Sequence, residues 1–94
     1  MKIIAVCGAG IGTSAILKVN AERALERRGL DADVSAADLA GVAAAAADAQ
    51  IVLTSTELAA AVREALGTSF AEVIEVVNYF DVDEIGSSLE RALG

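Results

Sequence analysis

With 94 residues the chain has room for one small domain, spanning 1–94, and not for two. A formal charge of −7 excludes the usual nucleic-acid surface, which needs clustered Lys and Arg. The absence of histidine excludes Cys–His pairs, Ser–His–Asp triads and a histidine phosphate carrier within the chain. One cysteine forbids an internal disulfide and points to a cytoplasmic setting, and with no histidine beside it no metal site is expected. No apolar run approaches the roughly 18 residues of a transmembrane helix.

The first element is the apolar run IIAV, residues 3–6, which reads as a central strand buried on both faces and ends at a glycine-rich turn. A helix is predicted from about Ser14 to Arg28, with Leu17, Ala21, Ala24, Leu25 and Arg28 on one face and Gly29 as its stop. Ile16 and Val19 fall off that stripe. They either touch a neighbouring helix or, with Ile11, form an apolar collar for a partner. Residues 31–37, DADVSAA, alternate around Ala32, Val34 and Ala36 like a half-covered outer strand. Asp38 is placed to cap a second helix over LAGVAAAA, since Ala is the best helix former. IVLTS, 51–55, reads as a second inner strand, Glu57 to about Leu66 as a helix stopped by Gly67, and VIEVV, 73–77, as a fourth strand. Asp81 then caps a last helix through Leu93 with the core stripe Val82, Ile85, Leu89 and Leu93.

This β-α-β-α-β-α-β-α alternation predicts an α/β fold: a single three-layer domain with a four-stranded parallel sheet, helices on both faces. Right-handed crossovers give the strand order 2-1-3-4. Ligands of such sheets bind beyond the carboxyl ends of the strands, where the winding reverses between the first and third strands. The turn after residue 6 lands there. Thr54, Ser55 and Thr56 come to the same edge, where helix capping and turn formation are sufficient reason for hydroxyls.

That turn is CGAGIGTS, Cys7 to Ser14. Gly8, Gly10 and Gly12 permit a tight backbone that brings N–H groups close to the Cys7 sulfur. Thr13 or Ser14 is expected to cap the helix that follows, whose first N–H groups lack helical partners. Such a nest of donors at a positive helix end suits an oxyanion, and the same field acidifies a thiol from about 8.5 to roughly 3.5–7.5. A thiolate inside an anion cradle suits a temporary phosphoryl carrier. Cys7 is therefore the candidate catalytic residue, and Gly8, Ala9, Gly10, Ile11, Gly12, Thr13 and Ser14 the candidate phosphate-binding segment. No cofactor is implied. Lys18 either draws an acidic partner or the phosphate toward the site or simply solvates its helix face.

Look-alike motifs fail on detail. The glycines do not make G-x-G-x-x-G, no lysine follows the last of them as in a nucleotide P-loop, and Thr13 stands where a cysteine phosphatase would have its arginine. A small flavodoxin-like binding module for flavin or another phosphate-bearing ligand is the alternative, although only Tyr79 and Phe80 are at hand to stack on a flavin.

The segment KIIAVCGAGIGTSAILKVNAERAL resembles the start of an enzyme IIB subunit of the phosphoenolpyruvate-dependent sugar phosphotransferase system, in the lactose/ascorbate/galactitol superfamily. SAILKVNAERAL and VVNYFDVDEI look most like the ascorbate type. The resemblance implies a fold like low-molecular-weight tyrosine phosphatases. It also implies that Cys7 takes a phosphoryl group from a phosphohistidine of enzyme IIA and passes it to a sugar held by the membrane enzyme IIC. The chain would then meet the membrane only through IIC, and the missing histidine would belong to another protein.

Overall fold

Eight elements alternate along the chain: β1 (Lys2–Val6), α1 (Ile11–Arg27), β2 (Asp33–Ala37), α2 (Val42–Ala45), β3 (Ile51–Ser55), α3 (Ala59–Leu66), β4 (Glu72–Val76) and α4 (Val82–Leu93). They are seen in a computed structural model that describes residues 1–6, 11–67, 71–78 and 80–93, the side chains of 11–14 and of Leu93 excepted. All three strand pairings are parallel, and the order is β2-β1-β3-β4, as the alternation predicts. β1 is central because every residue from Ile3 to Val6 is apolar and can be buried on either side.

Alternation along β1 divides the core in two. Ile3 and Ala5 join Leu17, Ala21, Ala24 and Leu25 of α1 with Ile85 and Leu89 of α4 on one face. Ile4 and Val6 join Val42, Ala46 and Val62, from the α2 and α3 region, on the other. Ile3, Ile4 and Leu53 are fully buried, each contributing on the order of 1.5–3 kcal/mol relative to exposure. The helices are therefore held mainly by their apolar stripes rather than by propensity.

Several element boundaries differ from expectation. α1 begins at Ile11, not near Ser14, so Thr13 and Ser14 fall inside the first helical turn and neither is its cap. Only four residues separate Val6 from Ile11, and a chain that must double back along the sheet in that span enters the helix at once. In β2, Val34 is buried but Ala36 is exposed; as an edge strand β2 gets little cover beyond that one side chain. The alanine run gives only four α-helical residues, because Asp38 closes a turn first, its Oδ1 accepting the Gly41 N–H at 2.7 Å. α3 starts at Ala59 rather than Glu57, after a turn closed by Leu58 N–H to the Ser55 carbonyl at 3.2 Å. β4 runs 72–76, which leaves Val77 outside the sheet and largely exposed. Gly67 ends α3 at φ +60, a left-handed conformation that glycine adopts without a Cβ penalty.

Candidate functional site

The carboxyl ends of β1 and β3 lie side by side, with Val6 in register with Thr54. α1, which follows β1, packs on one face of the sheet. Val62 of α3, which follows β3, packs on the other. The winding thus reverses between these two strands, and a crevice opens beyond their ends. Val6, which precedes Cys7 in the sequence, is the last residue of β1. The first turn of α1 carries no acidic side chain, so its positive end is not neutralised from within, whereas α4 begins with Asp83 and Glu84.

Of the candidate residues, Cys7, Gly8, Ala9 and Gly10 lie outside the described residues. Ile11, Gly12, Thr13 and Ser14 form the opening turn of α1, where backbone N–H groups have no partner within the helix. The backbone of residues 11–14 is that of a helix start, which offers main-chain N–H groups to whatever lies before it. Lys18 lies one turn further on and pairs with Glu22 at 3.3 Å on the exposed helix face, so solvation is its visible role. Among the described residues no group of three or more His, Cys, Asp and Glu side chains could hold a metal ion. No helix among them is long and apolar enough to cross a membrane.

Sequence reasoning missed the burial of Thr54 and the Glu84 tie, whereas the Asp81 cap was expected. Thr54 is fully buried within β3, and its hydroxyl has no hydrogen-bond partner among the described residues. Glu84 ties the segment after β4 to α4: its two carboxylate oxygens accept the N–H groups of Val77 at 2.8 Å and Asn78 at 3.0 Å. Asp81 caps α4 by accepting the Glu84 N–H at 3.1 Å. The Asn78 side chain in turn accepts the Phe80 N–H at 3.0 Å, which presents Phe80 outward, 62% exposed. Phe80 then forms one wall of an apolar groove of about 380 Å³ whose other wall is Ala15, Ile16, Val19, Asn20 and Arg23 on α1. Ile16 and Val19 thus face that groove, near the start of α1.

The "PTS system, Lactose/Cellobiose specific IIB subunit" family pattern matches residues 2–91. The chain belongs to this IIB family. A related protein of Mycoplasma pneumoniae, the "Ascorbate-specific PTS system EIIB component", is 30% identical over 93 residues, which cover 99% of this chain and 95% of that one. The lactose-specific IIB domain of Streptococcus pneumoniae superimposes with a TM-score of 0.69 over 99% of this chain and 94% of that one at 12% identity, and so shares the fold. IIB proteins are phosphotransferase components that work with IIA and IIC partners. Membership in the IIB family sets aside the flavin-module alternative.

Proposed function

We propose that this IIB protein carries phosphoryl groups on Cys7. The observation that supports the reading is the position of Val6, the last residue of β1, at the switch point of the sheet, with α1 beginning only five residues later. In the first half-reaction the Cys7 thiolate attacks the phosphorus of a phosphohistidine on IIA. The S–P bond forms as the N–P bond breaks, and imidazole keeps the bonding pair. In the second, a hydroxyl of the sugar on IIC attacks the same phosphorus. The O–P bond forms, the hydroxyl gives up its proton, and Cys7 returns as the thiolate. Main-chain donors of residues 8–14 stabilise the equatorial oxygens as charge spreads over them.

The acceptor we assign is ascorbate, on the likeness to the Mycoplasma pneumoniae relative of that name. The working surface is the groove between Phe80 and α1, where exposed apolar side chains rim the same edge of the sheet. A relay must release each partner after transfer, so a small, transient interface fits the role. The chain would act in the cytoplasm, reaching the membrane only through IIC.

Incubation with phosphoenolpyruvate, the general phosphotransferase proteins and candidate IIA proteins tests the reading by intact mass. One added phosphate is expected on the native chain and none on Cys7→Ser. Phosphate retained by the serine variant, or no addition with any IIA, contradicts it.

A further inference from the structure

α1 carries a second stripe beside the one that packs on the sheet. Ile16, Val19 and Arg23 stand at i, i+3 and i+7 and line the groove whose other wall is Phe80. That spacing is the ridge one helix offers to another, and the groove is open, with Val19 42% and Phe80 62% exposed. Four cations lie on α1 and at its end. Lys18 pairs with Glu22, Arg27 with Asp83 and Arg28 with Glu90. Arg23 alone of the four has no ion pair among the described residues, in a chain with 14 acidic residues to 7 basic ones. A guanidinium left over at the rim of an apolar groove fits a carboxylate brought by a partner, which it can hold through two parallel hydrogen bonds. The charge also separates the two partners of a IIB protein. Cytoplasmic loops of a membrane protein such as IIC are enriched in Lys and Arg, which Arg23 repels and the acidic remainder of the chain attracts. IIA carries no such bias.

We propose that the groove takes an amphipathic helix of IIA, its apolar face on Ile16, Val19 and Phe80 and a carboxylate at its edge on Arg23. Arg23 is then the residue by which this surface selects IIA over IIC. The inference rests on the groove being the working surface of this IIB protein.

Binding of unphosphorylated candidate IIA proteins to the native chain, Arg23→Glu and Arg23→Lys tests it by calorimetry and stopped-flow fluorescence. Arg23 is exposed and unpaired, so both variants are expected to keep the native thermal midpoint. Arg23→Glu is expected to weaken IIA about tenfold at low salt, mainly through slower association. The gap is expected to close as salt approaches about 1 M, where the Debye length is about 3 Å. Arg23→Lys keeps the charge and is expected to stay within about threefold of native. In phosphoryl transfer from IIA the loss in Arg23→Glu is expected in KM rather than kcat, while transfer onward to membranes containing IIC changes less than about twofold. Equal binding by the native chain and Arg23→Glu overturns the proposal, as does a loss that salt leaves untouched. An equal loss toward IIC overturns the choice of partner, and no binding by any candidate IIA overturns the whole inference. Binding needs no chemistry at Cys7: a chain that binds IIA through Arg23 yet gains no phosphate upholds this inference and contradicts the carrier reading.

Discussion

The Arg28 guanidinium lies across Gly86 and reaches Glu90, with Nη1 2.6 Å from the Glu90 carboxylate. A Cβ at residue 86 would run into the Arg28 side chain, with Cζ at 3.1 Å and Cδ at 3.2 Å. Glycine inside a helix usually costs about 1 kcal/mol relative to alanine. Here that cost makes room for a link between the end of α1 and α4. Gly86→Ala is therefore expected to gain nothing, or to lose up to about 1 kcal/mol, because Arg28 must leave its pair with Glu90. In an Arg28→Ala background the same change is expected to stabilise by about 1 kcal/mol. Urea denaturation of the four proteins of this cycle measures the coupling.

Glu84 closes the connection between β4 and α4 by accepting two backbone N–H groups. Glu84→Ala is expected to cost about 1–3 kcal/mol, since both donors lose a charged acceptor. Glu84→Gln keeps one carbonyl acceptor and is expected to cost less. Hydrogen exchange should accelerate at the Val77 and Asn78 amides before the rest of α4.

Phe80 contributes exposed apolar surface, so its truncation should barely affect folding. Phe80→Ala is expected to change stability by less than about 0.5 kcal/mol. It is expected to lower kcat/KM for phosphoryl transfer from IIA roughly tenfold, as loss of a central aromatic anchor does at other interfaces. Val19→Ser, on the opposite wall of the groove, should act in the same direction.

The hydrogen bond from Lys2 and then its charge, 2.7 Å away, hold the Asp48 carboxyl below its ordinary value of 3.8. A carboxyl with a lowered folded-state pKa stabilises the fold above its unfolded pKa and stops doing so as the pH falls through the folded one. Between pH 5 and 8 the pair is expected to contribute a constant, small amount, which disappears below pH 4. Asp48→Asn should flatten that part of the pH–stability curve, and added salt should shrink the difference because the pair is exposed.

Element order, strand order and both core stripes were legible because each is a periodicity: Leu17, Ala21, Ala24 and Leu25 on one helix, Ile85 and Leu89 on another, and an unbroken apolar run in β1. Asp81 and Gly67 were legible because a cap and a left-handed stop are local chemistry. The start of α1 was not. Ser14 and Gly12 look like a boundary, but the return path from β1 sets the helix start. The alanine run misled for a related reason: propensity says how readily residues coil, not how little chain is left between Asp38 and the next strand. Thr54 looked like a turn residue because register and packing, which bury it beside Val6, are properties of the assembled sheet. Glu84 and Val77 are likewise joined only once β4 and α4 are both in place.

β1 is made first and lies in the middle of the sheet, yet its two neighbours begin only at Asp33 and Ile51. On the ribosome, at about 5–20 residues per second, it waits several seconds for a flank on each side. The crevice has no existence in a shorter nascent chain, because one of its banks has not yet been translated. A fragment ending before Ile51 should accordingly lack the parallel pairing that buries Val6, however faithfully it keeps Cys7 and the glycines that follow.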